Sequence, residues 1–422
     1  MREMKDSGIE WVGQIPNDWS LKPIYTVFEE VVNKNYNGNI TNALKFTYGN
    51  IVRKQNFDAD EDDYVANTIL NYTIVTPGTI MLNGLNLNYD FVSQRIGLVR
   101  EKGIITSAYM AFRSNKTNVI NSEFATYLFK AYDGCKAFHN MGGGVRKILN
   151  FSELKKYYVP LPSINEQRCI VYTLNEKCSE IDSITDDIQK QITVLEDYKK
   201  SVITEAVTKG LNPNVEMKDS GIEWIGKIPK HWSIEKGKYI LEYLQKPVKV
   251  DDGVITCFRD GEVTLRANRR EDGFTMSDKE IGYQGIDKGD LVVHGMDGFA
   301  GAIGVSDSRG KASPVLNVLD SCCNKKYLMY YLRTMAYSDV FVALASGIRV
   351  RSCDLRWNKL ANLPYPVTDI KEQSEIVQYI DKKCSDIDAL ISDKKKQLEI
   401  LSDYKKSLIY EYVTGKKEVP ES

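Results

Sequence analysis

The sequence has few of the residues from which catalytic and metal centres are built. Its three histidines, His139, His231 and His294, do not form HExxH or another metal-ligand spacing. Its eight cysteines include no CxxC pair, and the adjacent pair Cys322-Cys323 lacks the spacing of a zinc site. We therefore predict no catalytic residue and no metal ion on this chain, and we expect the histidines to be exposed or hydrogen-bonded.

Long apolar runs and net charge are also lacking. No stretch approaches the roughly 18 apolar residues of a membrane span, and Met1 to Ser20 is too polar for a signal peptide. A reduced, cytoplasmic protein is expected. Lys and Arg number 56 against 57 Asp and Glu, a formal net charge of -1. The overall charge by itself therefore does not point to a nucleic-acid partner. Any basic surface must be local or supplied by a partner subunit.

Two segments of the chain are nearly identical. Met4 to Ser20 reads MKDSGIEWVGQIPNDWS, and Met217 to Ser233 reads MKDSGIEWIGKIPKHWS. We call them the first and second clasps. They hold four of the five tryptophans, with Gly and Pro between them, which is typical of irregular segments anchored by large rings. The tryptophans could instead stack on nucleic-acid bases, but such near-identity favours packing.

A second repeat predicts two long helices, Glu166 to Thr208 and Glu372 to Thr414, offset by 206 residues. Apolar residues recur with the seven-residue spacing of a coiled coil. The predicted seam comprises Leu174, Ile181, Ile188, Leu195 and Val202 in the first helix and Ile380, Ile387, Leu401 and Leu408 in the second. Cys178 and Cys384 also fall on it, as small packing residues. Lys394 falls where Ile188 sits, so the second seam is locally shifted.

The regions between these repeats differ and read as mixed α/β. In the first, we predict strands at Thr73 to Val75, Thr79 to Leu82 and Ile96 to Val99 and a helix at Ser122 to Tyr132. In the second, we predict strands at Val254 to Phe258, Gly261 to Leu265 and Asp290 to Val293 and a helix at Lys326 to Thr334. The chain is thus α+β, with four segments at 1–162, 163–213, 214–368 and 369–422.

Glycines recur at every third position from Gly295 to Gly304 and raise the question of a phosphate-binding loop. A Walker loop needs Lys-Ser/Thr directly after its last glycine, whereas Gly310-Lys311 is followed by Ala312. We therefore predict a tight β-ribbon, whose tip could approach a DNA backbone.

Basic residues interleaved with amides are the candidate nucleic-acid contacts, since Arg suits guanine and Asn or Gln suits adenine. The candidates in the first region are Arg53, Lys54, Arg95, Arg146 and Lys147. Those in the second are Arg266, Asn268, Arg269, Arg270, Arg349 and Arg351. Such clusters are also found on faces that merely contact solvent, so residue type alone leaves both interpretations open.

In combination, these features resemble the specificity (S, or HsdS) subunits of bacterial type I restriction-modification systems. The resemblance covers essentially the whole chain. It lies in the SGIEW-x-G-x-IP-x-x-W openings, the two variable regions, the Glu-Gln pairs at Glu166 and Glu372, and the two Asp-Tyr-Lys-Lys-Ser helices. It implies that each variable region is a target recognition domain that binds one half of a split sequence in double-stranded DNA.

The resemblance also implies partners and cofactors. The repeated helices would form an antiparallel intramolecular coiled coil, with a pseudo-twofold repeat, that spaces the two domains and docks two modification subunits. S-adenosylmethionine would be bound by the modification subunits and ATP, with Mg, by restriction subunits, so that this chain directs adenine methylation and DNA cleavage without catalysing them. The alternative is a coiled-coil assembly scaffold whose variable domains bind protein ligands, which the near-neutral charge would suit.

Overall fold

The computed structural model describes residues 2–55, 69–89, 91, 94–141, 147–269, 280–344 and 355–419. The chain forms two compact units. The first unit comprises Met1–Ile188 and Lys396–Ser422, and the second comprises Gln189–Lys395. Each unit thus contains one clasp, one variable region and part of each long helix.

The first unit is built around a four-stranded antiparallel sheet. Its strands, in spatial order, are Phe28–Glu30, Met110–Ser114, Ile80–Leu82 and Ile96–Leu98. Four two-stranded antiparallel pairs accompany it: Met4–Asp6 with Gln14–Pro16, Ser20–Pro23 with Tyr158–Leu161, Leu44–Thr47 with Asn50–Arg53, and Thr73–Val75 with Gly103–Ile105. The shorter helices are Ile24–Val27, Ser122–Gly134, the 3-10 turn Ala137–Asn140, and Phe151–Leu154.

The helix Ser122–Gly134 packs its apolar face against this sheet. It begins where the Asn121 side chain accepts hydrogen bonds from the amides of Glu123 and Phe124, which satisfies two otherwise unpaired donors. Phe124 and Leu128, spaced to share one face, are fully buried in the same core as Phe112 of the sheet. Burying a large apolar side chain of this kind contributes about 1.5–3 kcal/mol.

The second unit repeats this plan with different residues. Its four-stranded sheet has the order Leu241–Tyr243, Leu316–Ser321, Leu291–His294 and Ile303–Val305. The two-stranded pairs are Met217–Asp219 with Lys227–Pro229, Ser233–Lys236 with Pro364–Val367, Ile255–Cys257 with Val263–Leu265, and Gln284–Ile286 with Gly310–Ala312. The shorter helices are Gly237–Ile240, the 3-10 turns Arg266–Asn268 and Gly298–Ala300, Lys325–Tyr337, Val340–Ala343 and Trp357–Leu360.

The mixed helix and strand content confirms the predicted α+β class. Every strand and helix predicted for the two variable regions is present, with ends shifted by at most three residues. The glycine run is a β-ribbon as predicted, since Leu291–His294 pairs with Ile303–Val305 and a 3-10 turn, Gly298–Ala300, lies between them. Gly301 has a φ of 93°, a conformation that side chains with a Cβ rarely adopt.

The two long helices are Ile164–Lys209 and Ile370–Val413. The first ends where Gly210 adopts a φ of 73°, as the Gly-then-Pro sequence predicts. Within the second unit, Lys199 pairs with Asp388 at 2.7 Å, and Lys394 donates to Gln191. Residue numbers rise along one helix as they fall along the other, so these segments are antiparallel.

The predicted seam residues can be placed in each unit. In the first unit Leu174, Ile181, Ile188 and Leu408 are buried and Leu401 is half-buried. In the second unit Val202, Ile380 and Ile387 are buried and Leu195 is half-buried. Cys178 and Cys384 are buried packing residues, as predicted. Ile391 is also buried in the second unit, while Lys394 binds a polar partner, which is the local shift that the sequence indicated.

Each clasp is joined to a long helix through its second tryptophan. Trp19 is buried, and its indole N–H donates to Glu166 at 3.2 Å; in the second unit Trp232 donates to Glu372 at 3.1 Å. Trp11 packs on Tyr132 with the ring centroids 5.8 Å apart. The tryptophans therefore have packing roles, except that Trp224 keeps 38% of its surface exposed.

The glutamine after each of these glutamates joins the helix to the variable domain. The Gln167 amide donates to the carbonyls of Val119 and Pro162, at 2.9 and 3.0 Å, and its oxygen accepts from the Asn121 amide at 2.8 Å. In the second unit Gln373 donates to the carbonyl of Thr368 at 2.7 Å and accepts from the Asn324 amide at 2.8 Å. Both glutamines thus fix the start of a domain helix by binding main-chain atoms.

Candidate nucleic-acid interface

Three candidates of the first unit, Arg53, Lys54 and Lys147, lie on its surface. Arg53 ends the hairpin strand Asn50–Arg53; its side chain is 67% exposed and pairs with Glu101 at 3.2 Å. Lys54 follows and is exposed, as is Lys147. The turn of the same hairpin carries Tyr48, which is 82% exposed. This hairpin therefore offers both cations and an aromatic ring to a partner. Arg146 lies outside the described residues.

Arg95 does not fit the prediction that it contacts DNA. It is 1% exposed, and its guanidinium donates to the carbonyls of Asn83 and Leu85 at 2.9 and 2.8 Å. Its own amide donates to the buried carboxylate of Asp133 at 2.8 Å. Burial raises the pKa of Asp133 above its usual range. Arg95 satisfies buried polar groups and is removed from the set of surface contacts.

The candidates of the second unit gather at one end of the strand Val263–Leu265. Arg266 and Asn268 belong to the 3-10 turn Arg266–Asn268, where they donate to Thr256 and Thr264 at 3.3 and 2.9 Å. Arg269 caps the turn. The structure thus brings three of the predicted residues together, whereas Arg270, Arg349 and Arg351 lie outside the described residues.

Arg269 is held on several sides. Its guanidinium pairs with Asp260 at 2.6 Å and with Glu262 at 3.0 Å, and it lies over the Phe258 ring, 4.2 Å from the centroid. Burial opposes ionisation of Asp260, but the hydrogen bonds from Arg269 and from the Glu262 amide, together with the charges of Arg269 and Arg333, hold the pKa of that carboxyl below its usual range. These contacts fix the orientation of the planar guanidinium.

Arg266 and Arg269 line a cavity of about 840 Å³, a size within the range of ligand sites. Its other lining residues are Ile255, Thr256, Cys257, Phe258, Arg259, Asp260, His294, Asp297, Ser313, Val315 and Leu316. It combines apolar side chains with cations, carboxylates and hydroxyl groups. We call it the arginine cavity.

The tautomer of His294, at the cavity wall, is set by the ribbon turn. Its Nδ1 accepts from the amides of Met296 and Asp297, at 3.2 and 2.9 Å. Nδ1 therefore carries no proton, and Nε2 does. Burial lowers the pKa of His294, although Asp297 acts in the opposite direction. At neutral pH this histidine is uncharged and presents an N–H donor.

Residue type alone did not indicate several members of this cavity. Phe258 and Asp260 come from the turn between the strands Ile255–Cys257 and Val263–Leu265, and His294 and Asp297 from the ribbon. The interleaving of Phe258, Arg259 and Asp260 was the available signal. Within the described part of the chain, no group of three or more His, Cys, Asp or Glu residues could hold a metal ion, and no helix could span a membrane.

Comparison with known proteins shows which proteins the chain is similar to. Residues 22–194 match the family model described as the type I restriction modification DNA specificity domain. The type I restriction enzyme MjaVIII specificity subunit of Methanocaldococcus jannaschii is 23% identical over 424 residues, covering 96% of this chain and 94% of the relative. The MjaX specificity subunit of the same organism is 23% identical over 235 residues, and the alignment spans about half of each protein, 53% of this chain and 52% of the relative.

A solved structure shares the fold. A chain from a study of complex assembly and conformational transition in the type I R-M system superposes with a TM-score of 0.68. It is 13% identical and is covered over 99% of its length, with 96% of this chain aligned, so it shows a shared fold. Residues 22–194 thus match a type I restriction modification DNA specificity domain, and the chain is similar over most of its length to a type I restriction enzyme specificity subunit.

Proposed function

We propose that this chain is the non-catalytic DNA-recognition subunit of a type I restriction-modification complex, and that each unit recognises one half of a two-part target. The observation that carries the proposal is the repeated frame: the same Trp–Glu and Gln–main-chain joints support different outer surfaces in the two units. One unit offers the hairpin with Arg53, and the other offers the arginine cavity. Two units that share the same framework but differ in their outer surfaces are suited to a target whose two halves differ in sequence.

The long helices are proposed to set the spacer between the two half-sequences. They contain 46 and 44 residues, and at about 1.5 Å per residue each is on the order of 65–70 Å long. As an antiparallel coiled coil they would hold the readers at a fixed separation. Half-site centres about one DNA turn apart, roughly 34 Å, would fall within that length.

The outer faces of these helices are proposed to dock the modification subunits. In the first unit, Ile184, Ile400 and Tyr404 are exposed, and in the second unit their repeat equivalents Leu390, Val194 and Tyr198 are exposed. Exposed apolar side chains on a charged helix are typical of interaction surfaces. Two equivalent sets suit two identical partners. S-adenosylmethionine would then be bound by these partners, and ATP with Mg by restriction subunits, so that adenine methylation and cleavage take place outside this chain.

Methylation mapping tests the proposal directly. Methylated adenines are mapped in the source genome with and without this gene, and the two-part motif that disappears is the target. Replacing Leu21 to Pro160 by another variable domain should change one half of that motif and leave the other half and the spacer intact. A change in both halves, or in neither, would contradict separate readers.

The scaffold alternative draws on the near-neutral charge of the chain, -1 overall, and on the carboxylates that pair with Arg53 and Arg269. A DNA-reading complex loses affinity steeply as salt rises, because phosphate contacts release counterions. A scaffold for protein ligands would show no salt-sensitive DNA affinity, so a salt titration of the assembled complex separates the two functions.

A further inference from the structure

Arg269 is arranged unlike an arginine that binds a base edge. Its Nη1 and Nη2 atoms already donate to Glu262 and Asp260, at 3.0 and 2.6 Å. These pairs engage both terminal nitrogens, so a bidentate contact to guanine through the same two atoms would have to compete with both carboxylates. The side chain nevertheless lines the arginine cavity and keeps 37% of its surface exposed.

What Arg269 offers to the cavity is a flat surface. Phe258 lies against the guanidinium at 4.2 Å from the ring centroid, and the two carboxylates fix its edges. Guanidinium planes and aromatic rings are the surfaces on which proteins stack unpaired bases. A guanidinium fixed in this way loses little conformational entropy when a second planar group stacks on it.

The charges around the cavity favour a neutral group over a phosphate. Asp260 and Asp297 line it together with the arginines, and Arg259 is paired with Asp297 at 2.8 Å. These carboxylates offset the attraction of the arginines for an anion. They can, however, accept hydrogen bonds from the amino group of a base, while His294 presents its Nε2–H donor.

We propose that the arginine cavity receives one unstacked nucleobase of the target DNA, which stacks on the guanidinium plane of Arg269. This inference rests on the proposed function and identifies what the second unit binds. The cavity volume of about 840 Å³ is ample for a base, and proteins that accept a flipped base stack it and hydrogen-bond its pairing edge. Asp260 and Glu262 are then positioning residues, since they orient the plane of Arg269.

The test uses weakened base pairs. The assembled complex is titrated with duplexes that carry the mapped target, and the base opposite each position of the second half-sequence, except the methylated adenine, is replaced in turn by an abasic site. Removing a partner base normally weakens recognition. At the position whose base enters the cavity, removal of the partner base should instead tighten binding by about tenfold, because no base pair has to be broken there.

Two substitutions of Arg269 separate its plane from its charge. Arg269→Ala and Arg269→Lys should both abolish the tightening, since lysine keeps the charge but has no plane to stack on. Arg113→Lys is the matched control and should retain it, because Arg113 pairs with Glu29 at 2.7 Å on the first unit and is not among the candidate contacts. Thermal melting of each variant verifies that the chain is folded.

The outcomes are distinct. If the chain binds its target but no position shows tightening, the cavity does not receive a base, and the proposed function stands. If Arg269→Lys retains the tightening, the positive charge at position 269 and not the planar guanidinium is responsible for it, and the inference fails. Equal weakening of all sequences by Arg269→Ala, with a smaller salt dependence, would assign the cavity to a phosphate. Failure to bind the target at all would overturn the proposed function as well.

Discussion

At the residue scale, the same residue type serves opposite purposes in the two units. Arg95 and Arg269 were both predicted as DNA contacts from their type. Arg95 lies inside the first unit and donates to two main-chain carbonyls, whereas Arg269 lies at a cavity with its plane accessible. Burial and hydrogen-bond partners distinguish them, and neither can be read from the identity of the residue.

Arg95→Lys is expected to destabilise the first unit and leave the DNA sequence specificity unchanged. The carbonyls of Asn83 and Leu85 both accept from the terminal nitrogen Nη1, and the shorter lysine does not place its ammonium at that point. Leaving buried acceptors without donors should cost about 1–3 kcal/mol of the free energy of unfolding. Denaturant titration measures the loss, and Arg53→Lys at the exposed hairpin should show almost none. An altered methylation motif in the folded variant would return Arg95 to the candidate contacts.

His294 should make the stability of the second unit depend on pH. The pKa of His294 is lower in the folded chain than the ordinary 6.5. Below pH 6.5 the unfolded state therefore binds more protons than the folded state, and the free energy of unfolding decreases as the pH decreases. Asp297 and Arg259 are the charged groups that act on it, in opposite directions. His294→Asn offers an oxygen acceptor to the same amides but does not titrate, so melting temperatures between pH 7.5 and 5.5 should decline less in this variant.

The comparison at pH 7.5 and above is the internal control for His294→Asn, since the histidine is then neutral in both states. There the two proteins should differ by a constant amount. An identical decline with falling pH in both proteins would show that His294 contributes nothing to the dependence.

At the element scale, the first turns of the long helices organise the globular parts. Glu166 holds the clasp through Trp19, and Gln167 holds the variable domain through main-chain atoms. The sequence shows the Glu-Gln pair as a repeated motif. It does not show that the glutamate binds the clasp and the glutamine binds the variable domain. The partners of Gln167 are backbone groups, which leave no signature in the sequence.

Gln167→Glu should destabilise the first unit by about 2–4 kcal/mol, because a buried carboxylate cannot donate to the carbonyls of Val119 and Pro162. The loss is measured by thermal or denaturant unfolding at neutral pH. Gln373→Glu should have a similar effect in the second unit, and Gln189→Glu, at an exposed position of the same helix as Gln167, should have little. Tolerance of Gln167→Glu would show that this joint is dispensable.

At the scale of the whole molecule, the repeat was predictable and the surfaces were not. Periodicity and self-similarity predicted the two helices, the clasps and the α+β class, since these depend on burial patterns that recur in the chain. The arginine cavity could not be predicted, because it brings together a strand turn near Asp260 and a ribbon turn near Asp297. Pairing between elements distant in sequence depends on the packed structure.

Removing one heptad from each long helix, Ile188 to Val194 and Lys394 to Ile400, should shorten the spacer of the target by about three base pairs. Seven residues correspond to about 10.5 Å of helix, and each base pair to about 3.4 Å. Deleting whole heptads preserves the seam. Sequencing of methylated adenines gives the result, and duplicating the same heptads should lengthen the spacer equally. Altered half-sequences with an unchanged spacer would contradict the proposal that the long helices set the spacer.

The main-chain joints have a consequence for how such proteins diversify. Gln167 and Gln373 bind amides and carbonyls, which every amino acid supplies, so a foreign domain that keeps the local backbone path satisfies them whatever its side chains. Recombination within a clasp or at a helix start can therefore exchange one domain without a compensating change elsewhere. Under the proposed function, such an exchange would give a new combination of half-targets in a single genetic step, and selection would then act on specificity with stability already secured.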